Sequence, residues 1–360
     1  DLPDNRNPAA QEEIFGPVVG VIGYRDLDHA VEMANDSKFG LSGWVHGADK
    51  VKSLEVGLKI RSGSVNVNGA LMSSYASSGG IKMSGLGRER GVEGLREFQM
   101  MTTLNIGGAG SGVGRAACLL FSEHGAKVVA ADINGANAEE TAKMVRDAGG
   151  ECAAVTCNVA DPASVDAAVA AAVESFGRLD AIYNNAGITI SPIPGKGLRS
   201  LVECDPEEMK RVEDVNINGV IYGSQAAIRQ FDRQGGGGVI VSTASVAGLM
   251  GYGGVLYGTT KGAVVQFTRA LAIEVADKGI RVNAVCPAGM LTHYAGMDPD
   301  SEHRDRILEG MGKAHPLGKA IDPRDTASAA LFLCSDLASN ITGVNLPVDG
   351  GLYAGRKVGG

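Results

Sequence analysis

The chain has 360 residues, 44% apolar and 21% charged, enough to bury a large core in more than one folding unit. Its 52 glycines are about twice the ~7% average, while proline stays at 12, which favours glycine-rich turns in an α/β protein over a disordered or collagen-like chain. Lys and Arg number 33 against 41 Asp and Glu, a net charge of -8 without any basic block, so neither nucleic acid nor an anionic membrane is expected as a partner.

No apolar run approaches the ~18 residues that span a bilayer, and the opening DLPDNRNPAAQEE does not read as a signal peptide; a soluble, cytoplasmic protein is expected. The first residue is Asp, as in a sequence that begins inside a longer or processed reading frame. The six cysteines (Cys118, Cys152, Cys157, Cys204, Cys286, Cys334) form no CxxC pair and have no histidines at metal spacing. Buried reduced thiols are expected, with no metal site.

From about 14 to 104 strand-like and helix-like pieces alternate. VVGVIGYR at 18–25 reads as a strand and DHAVEMANDSKFG as a short amphipathic helix closed near Gly40. GWVHG, DKVKSLEVGLKI and SGSVNVNG repeat strand, helix, strand. A Ser- and Gly-rich loop and a last strand-like piece, TTLNI, follow. EEIFGPVVGV, EMANDSKFGL, GSVNVN and SGLGRERGVEGLREF, in this order, resemble the C-terminal part of an aldehyde dehydrogenase over roughly residues 11–104. The resemblance implies that Glu13 would bind a cofactor ribose and that Phe15 would lie beside the nicotinamide. Where the family usually has PFGG, this chain has SSGG at 77–80. That family's chemistry needs a cysteine thiolate, and residues 1–117 contain no cysteine. Residues 1–104 are therefore expected to be a truncated, catalytically incomplete segment. A solvated charge and a packing ring are the better readings of Glu13 and Phe15.

Beyond residue 105 the signals form a full set. GGAGSGVG at 107–114 follows an apolar stretch and opens the helix GRAACLLFSEHG, placing Gly108, Gly112 and Gly114 at GxxxGxG spacing. Such a turn brings backbone against a pyrophosphate and aims a helix N-terminus at its charge. The next strand, AKVVAAD, ends in Asp132, eighteen residues after Gly114, where a carboxylate accepts from ribose hydroxyls and repels a 2′-phosphate. NAD is therefore expected over NADP. ECAAVTCNV, LDAIYNNAG, GGVIVSTAS, RVNAVCP and GVNLPVDGG supply five more strands, separated by helices and, before DTASAALFLCSD, by a polar loop. Seven strands with right-handed crossovers predict a doubly wound seven-stranded parallel sheet of the Rossmann type.

Tyr257 and Lys261, four apart, share one face of the helix YGTTKGAVVQFTRALAIEVADKG. An ammonium beside a phenol favours the phenolate, lowering its pKa toward neutrality and making an acid/base suited to pH 7. Ser245, twelve residues upstream at a strand end, could place its hydroxyl on the same substrate oxygen. A lone Tyr-x-x-x-Lys pair often arises by chance. The ordered set GxxxGxG, NNAG, VN, TASVAG, YxxxK and VNAVCPxG carries more weight, and it resembles the short-chain dehydrogenase/reductase family over essentially all of 107–355.

That resemblance implies Tyr257 as catalytic acid/base, Lys261 as the group that lowers its pKa and holds the nicotinamide ribose, Ser245 as the residue that orients the substrate oxygen, and Asn216 as the holder of a water behind Lys261. It implies cofactor contacts from Gly108, Gly112, Val113 and Gly114 to the pyrophosphate, Asp132 to the ribose, and Asn158 with Val159 to adenine. Asn185, Ala186 and Gly187 would wall the ribose, and Met290 and Thr292 would face the carboxamide. The reaction implied is hydride transfer between NAD and a secondary alcohol or ketone, in a homotetramer. The pocket should be lined by 188–207 and by the loop from Met290 to Pro316. A non-catalytic nucleotide-binding or assembly protein on the same fold is the alternative.

The chain departs from the pattern at several places: Gly107 replaces a Thr, Asn105 puts an amide in the central strand, Asn158 replaces an Asp, and Pro287-Ala288 replaces Pro-Gly, which costs strain if that position needs a positive φ. A fusion of neighbouring reading frames, natural or introduced in cloning or assembly, in which Thr102–Ile106 ends one segment and begins the other, would explain Asn105 and Gly107. The expected organisation is a segment 1–104 followed by an oxidoreductase domain 105–360.

Overall fold

A computed structural model describes all residues except 1, 13, 15, 18, 71–78, 85–100, 191–197, 295–296 and 356–360. Two compact units divide between Met100 and Met101. The strand TTLNI thus falls wholly in the second unit.

In the first unit, side-chain caps set the helix starts. Asn7 caps α1 (Pro8–Gln11), Asp26 caps α2 (Leu27–Asn35) and Asp49 caps α3 (Lys50–Gly57), each accepting from first-turn N–H groups. β1 (Ser42–Val45) and β2 (Ser64–Val67) pair in parallel as a two-stranded sheet, with α3 as their crossover. The expected strand at 18–25 is not formed: residues 19–24 carry no ladder, and Val19 is 86% exposed. An apolar run becomes a strand only where a neighbouring strand offers hydrogen bonds and a face to bury, and none pairs with it among the described residues. Glu13, Phe15, residues 77–78 and all of the SGLGRERGVEGLREF motif after Ser84 lie outside the described residues.

The second unit alternates strand and helix: β3 (Thr102–Ile106), α4 (Gly112–Glu123), β4 (Lys127–Asp132), α5 (Gly135–Asp147), β5 (Cys152–Thr156), α6 (Pro162–Phe176) and β6 (Ala181–Asn184). There follow α7 (Pro206–Glu213), a π-helical turn at Asp214–Asn218, α8 (Gly219–Gln234), β7 (Gly238–Thr243), α9 (Val255–Glu274), β8 (Ile280–Pro287), α10 (Arg304–Ala314), α11 (Pro323–Cys334) and β9 (Asn345–Val348). The sheet is seven-stranded, parallel throughout and ordered β5-β4-β3-β6-β7-β8-β9. α10 lies in the stretch expected to be a polar loop. Its charged residues hide a helical period, and only Gly312 in it is buried.

Strand periodicity divides the core into two faces. Leu104, Ile106, Val129, Ile182 and Ile240 pack with Ala168, Ala172, Ala227 and Phe231 of α6 and α8. Val128, Ala130, Tyr183 and Val241 pack with Cys118, Phe121, Ala330 and Leu333 of α4 and α11. Asn105 points to this second face. Its Nδ2 donates to the Gly114 carbonyl at 2.7 Å and lies 3.3 Å from Cys118 Sγ, while its Oδ1 is buried without a partner among the described residues. The central amide therefore ties β3 to the first turn of α4. Ala288 does not take a positive φ, so the Pro287-Ala288 departure carries no backbone strain there. All six cysteines are free thiols, and burial pushes Cys118, Cys286 and Cys334 up to about 12. No helix among the described residues is long and apolar enough to cross a membrane.

Candidate active site

The carboxyl ends of β3, β4, β6, β7 and β8 carry most of the residues singled out from the sequence, and the switch in strand order between β3 and β6 opens the crevice there. The turn after β3 is built for close approach. A Cβ on Gly114 would lie 2.1 Å from the Gly108 carbonyl oxygen, so the helix can start against the turn only with glycine there. Gly107 has φ +72°, and a Cβ on it would meet Ala186 Cβ at 2.3 Å, which accounts for glycine at this position. Ser111, at the N-cap of α4, makes no side-chain capping bond, leaving first-turn N–H groups available to an anion. These features fit a dinucleotide pyrophosphate.

At the end of β4, Asp132 accepts the Gly110 N–H at Oδ2 and the Asn134 N–H at Oδ1, both at 2.9 Å. Its carboxylate is thus fixed at the rim of the turn. Val113 packs against the cluster containing Met290, and Thr292 methyl carbon lies 3.4 Å from where a Gly112 Cβ would be, so the loop after β8 closes over the phosphate turn. Asn185 Nδ2 reaches the Gly107 carbonyl at 3.3 Å, and the Ala186 N–H donates to Ile106. Asn158 Oδ1 accepts from the Ala160 N–H, and Val159 side-chain carbon would touch a Gly107 Cβ at 3.0 Å.

The second cluster stands on β7, α9 and the π-helical turn. Lys261 is buried, and its Nζ donates to the Thr243 carbonyl at 2.7 Å. Asn216, fully buried, grips the backbone of Ile188: Oδ1 accepts its N–H and Nδ2 donates to its carbonyl, both at 2.8 Å, and Nδ2 also reaches Thr260 Oγ1 at 3.0 Å. The widened π turn aims this side chain. Gly187 leaves room beside it, since a Cβ there would sit 3.3 Å from Lys261 Nζ and 3.6 Å from Asn216 Oδ1. Ser245 Oγ accepts the Ala247 N–H and donates to the Pro287 carbonyl, each at 3.2 Å.

Tyr257 stands among these groups. Lys261 Nζ is 5.8 Å from its ring centre, and the Ser245 and Tyr294 hydroxyls lie beside its own. The expectation that Lys261 lowers the Tyr257 pKa does not hold for the protein alone. Burial pushes the phenol above its usual value, only partly offset by Tyr294 and Ser245. Burial also draws Lys261 down to about 8. Both groups lose water, and desolvation disfavours the charged form of each, while the Lys261 nitrogen is committed to the Thr243 carbonyl. Thr243, Thr189 and Tyr294 were not singled out from the sequence. Thr243 works through its backbone carbonyl, which no side-chain pattern records. Tyr294 sits in an irregular loop with no periodicity to mark it.

The family described as enoyl-(acyl carrier protein) reductase matches residues 108–353, and the aldehyde dehydrogenase family matches residues 2–104, beginning earlier than the motifs suggested. The chain belongs to the short-chain dehydrogenase/reductase family. It is an oxidoreductase by that membership. Cyclohexanol dehydrogenase of Acinetobacter sp. (strain SE19) is 39% identical over 246 residues, 68% of this chain and 92% of that protein. Meso-2,3-butanediol dehydrogenase of Serratia marcescens is 37% identical over 250 residues, 69% of this chain and 93% of that protein. The crystal structure of 3-ketoacyl-(acyl-carrier-protein) reductase from Brucella melitensis complexed with NADH superposes with a TM-score of 0.61 at 37% identity, covering 70% of this chain and 98% of that one.

Proposed function

We propose that residues 105–360 are an NAD-dependent oxidoreductase acting on a secondary alcohol or ketone, with Tyr257 as acid/base, and that residues 1–104 take no part in its chemistry. The observation that carries this reading is the convergence of buried Ser245, Lys261 and Asn216 on a half-buried Tyr257 beside a phosphate-binding turn. The named relatives that act on alcohols and diols support it.

Gly108, Gly112, Val113 and Gly114 would hold the pyrophosphate, Asp132 the adenosine ribose, Asn158 and Val159 the adenine, Asn185, Ala186, Gly187 and Lys261 the second ribose, and Met290 and Thr292 the carboxamide. The bound nicotinamide supplies the hydride acceptor or donor. Tyr257 takes the proton from the alcohol oxygen during oxidation and returns it during reduction. Ser245 turns its hydroxyl from the Pro287 carbonyl to that same oxygen. The Lys261 ammonium, held by Thr243, stabilises the phenolate as it forms, and Asn216 keeps the Ile188 backbone in register behind it. Asp132 opposes a 2′-phosphate, so NAD is favoured.

Initial rates on a panel of secondary alcohols and ketones, with each cofactor, test the reading. Tyr257→Phe should lower turnover by at least about 10²-fold while NAD affinity stays within about threefold. Retained turnover in the variant, or a higher specificity constant with NADP, overturns the corresponding part.

A further inference from the structure

One polar atom beside Tyr257 is left over by the reaction just described. The ring of Tyr294, in the loop after β8, stands 6.0 Å from that of Tyr257 at an interplanar angle of 55°. Its hydroxyl is buried and, among the described residues, makes no hydrogen bond of standard geometry, although the Tyr257 and Thr189 hydroxyls are close enough to bias its proton. An unpartnered buried hydroxyl is costly, so a fold that keeps one beside a reacting group calls for an explanation. The position is anchored on two sides. The Tyr294 N–H donates to Thr292 Oγ1 at 3.2 Å, and Thr189 follows directly on Ile188, whose backbone Asn216 clamps. Burial holds the phenol far above its usual pKa, so it stays a neutral donor.

Resting on the proposed Tyr257 chemistry, we infer that the Tyr294 hydroxyl binds a second oxygen of the substrate, on the carbon adjacent to the reacting one, and so selects vicinal diols and α-hydroxyketones. The reacting oxygen would sit against Tyr257 and Ser245. A neighbouring oxygen would then fall to the only other hydroxyl ring packed against Tyr257 among the described residues. A simple alcohol leaves Tyr294 unpaired, whereas a diol satisfies it; sites with such a donor discriminate strongly against substrates lacking the partner.

The test compares cyclohexanol with 1,2-cyclohexanediol, at saturating NAD, for the full chain and its Tyr294→Phe variant. Wild type should favour the diol in specificity constant by about tenfold or more. Y294F should lose most of that preference; cyclohexanol oxidation should fall too, but by clearly less than the diol's, because the Tyr294 hydroxyl also helps hold down the Tyr257 pKa. NADH affinity should be unaltered and the melting temperature equal or higher, because the change removes an unpaired buried hydroxyl. An unchanged diol preference overturns the inference. So does an equal fall on both substrates, or a lowered melting temperature with loss of NADH binding, since each assigns Tyr294 to the acid/base or to folding. If wild-type protein oxidises neither compound nor any other alcohol, the proposed function fails and the inference with it. Activity on cyclohexanol without diol preference sinks the inference alone.

Discussion

Residues 1–100 and 101–360 use the same alternation of strand and helix, yet they bury very different amounts of apolar surface. In the first unit the buried described residues are Gly40, Ser53, Gly57 and Gly80, none with an apolar side chain beyond hydrogen, while Trp44 is 64% and Leu58 80% exposed. In the second, Leu104, Val128, Ile182, Ile240 and Val285 are all fully buried. Two parallel strands and a crossover helix cover one another poorly. Seven strands with helices on both faces leave the central strands no contact with water. Local caps and family motifs are present in both units, so these features alone do not produce a core.

The sharpest way to break that contrast is a pair of truncations. Leu104→Ala should cost about 2–5 kcal/mol of unfolding free energy for the second unit, because a fully buried side chain leaves a cavity. Trp44→Ala should cost under about 1 kcal/mol, as its ring is already in solvent. Urea unfolding followed by tryptophan-independent circular dichroism would measure both; similar losses would mean that the first unit is packed far better than its exposures indicate.

The site's titration offers a smaller effect. Oxidation needs the Tyr257 phenolate, and burial raises that group's pKa, so its specificity constant should climb with pH by up to about tenfold per unit from pH 6. Reduction needs the protonated phenol, which is saturated over that range, and should stay flat. Above about 8 Lys261 loses its proton, removing support for the phenolate, and the rise should level off. Rates measured in both directions across pH 6–10 would check this; a flat oxidation profile places the proton step on another group.

The smallest effect tests the separation of the units directly. A chain starting at Met101 keeps β3 and the whole phosphate turn, so its specificity constant should remain within about twofold of the full chain's. We propose that it is a tetramer, built through α7, α9 and the C-terminal VDGG region. Light scattering at micromolar concentration would show a monomer if that is wrong. A large fall in rate without loss of folding would bring the first unit into catalysis.

The sequence by itself determined the order of the second unit's seven strands along the chain and the glycine turn, and it pointed to Ser245, Tyr257 and Lys261 as candidates. Each rests on short-range information: apolar runs of buried strands, glycines where no side chain fits, and a four-residue helical spacing. Tertiary structure alone decided what those residues experience. The run at 18–25 found no strand to pair with and stayed exposed, while the polar stretch at 304–314 coiled into a helix. Asn105, an oddity as a letter in a strand, became a tie to the Gly114 carbonyl because the facing helix starts there. Lys261 was expected to act on Tyr257 through charge alone, but burial sets both pKa shifts, and burial depends on everything packed around the pair. Tyr294, 37 residues beyond Tyr257 in the chain, reaches its ring only because the loop after β8 folds back over the site. Spacing along a helix is fixed locally, whereas desolvation and contact across a crevice exist only once distant segments have met.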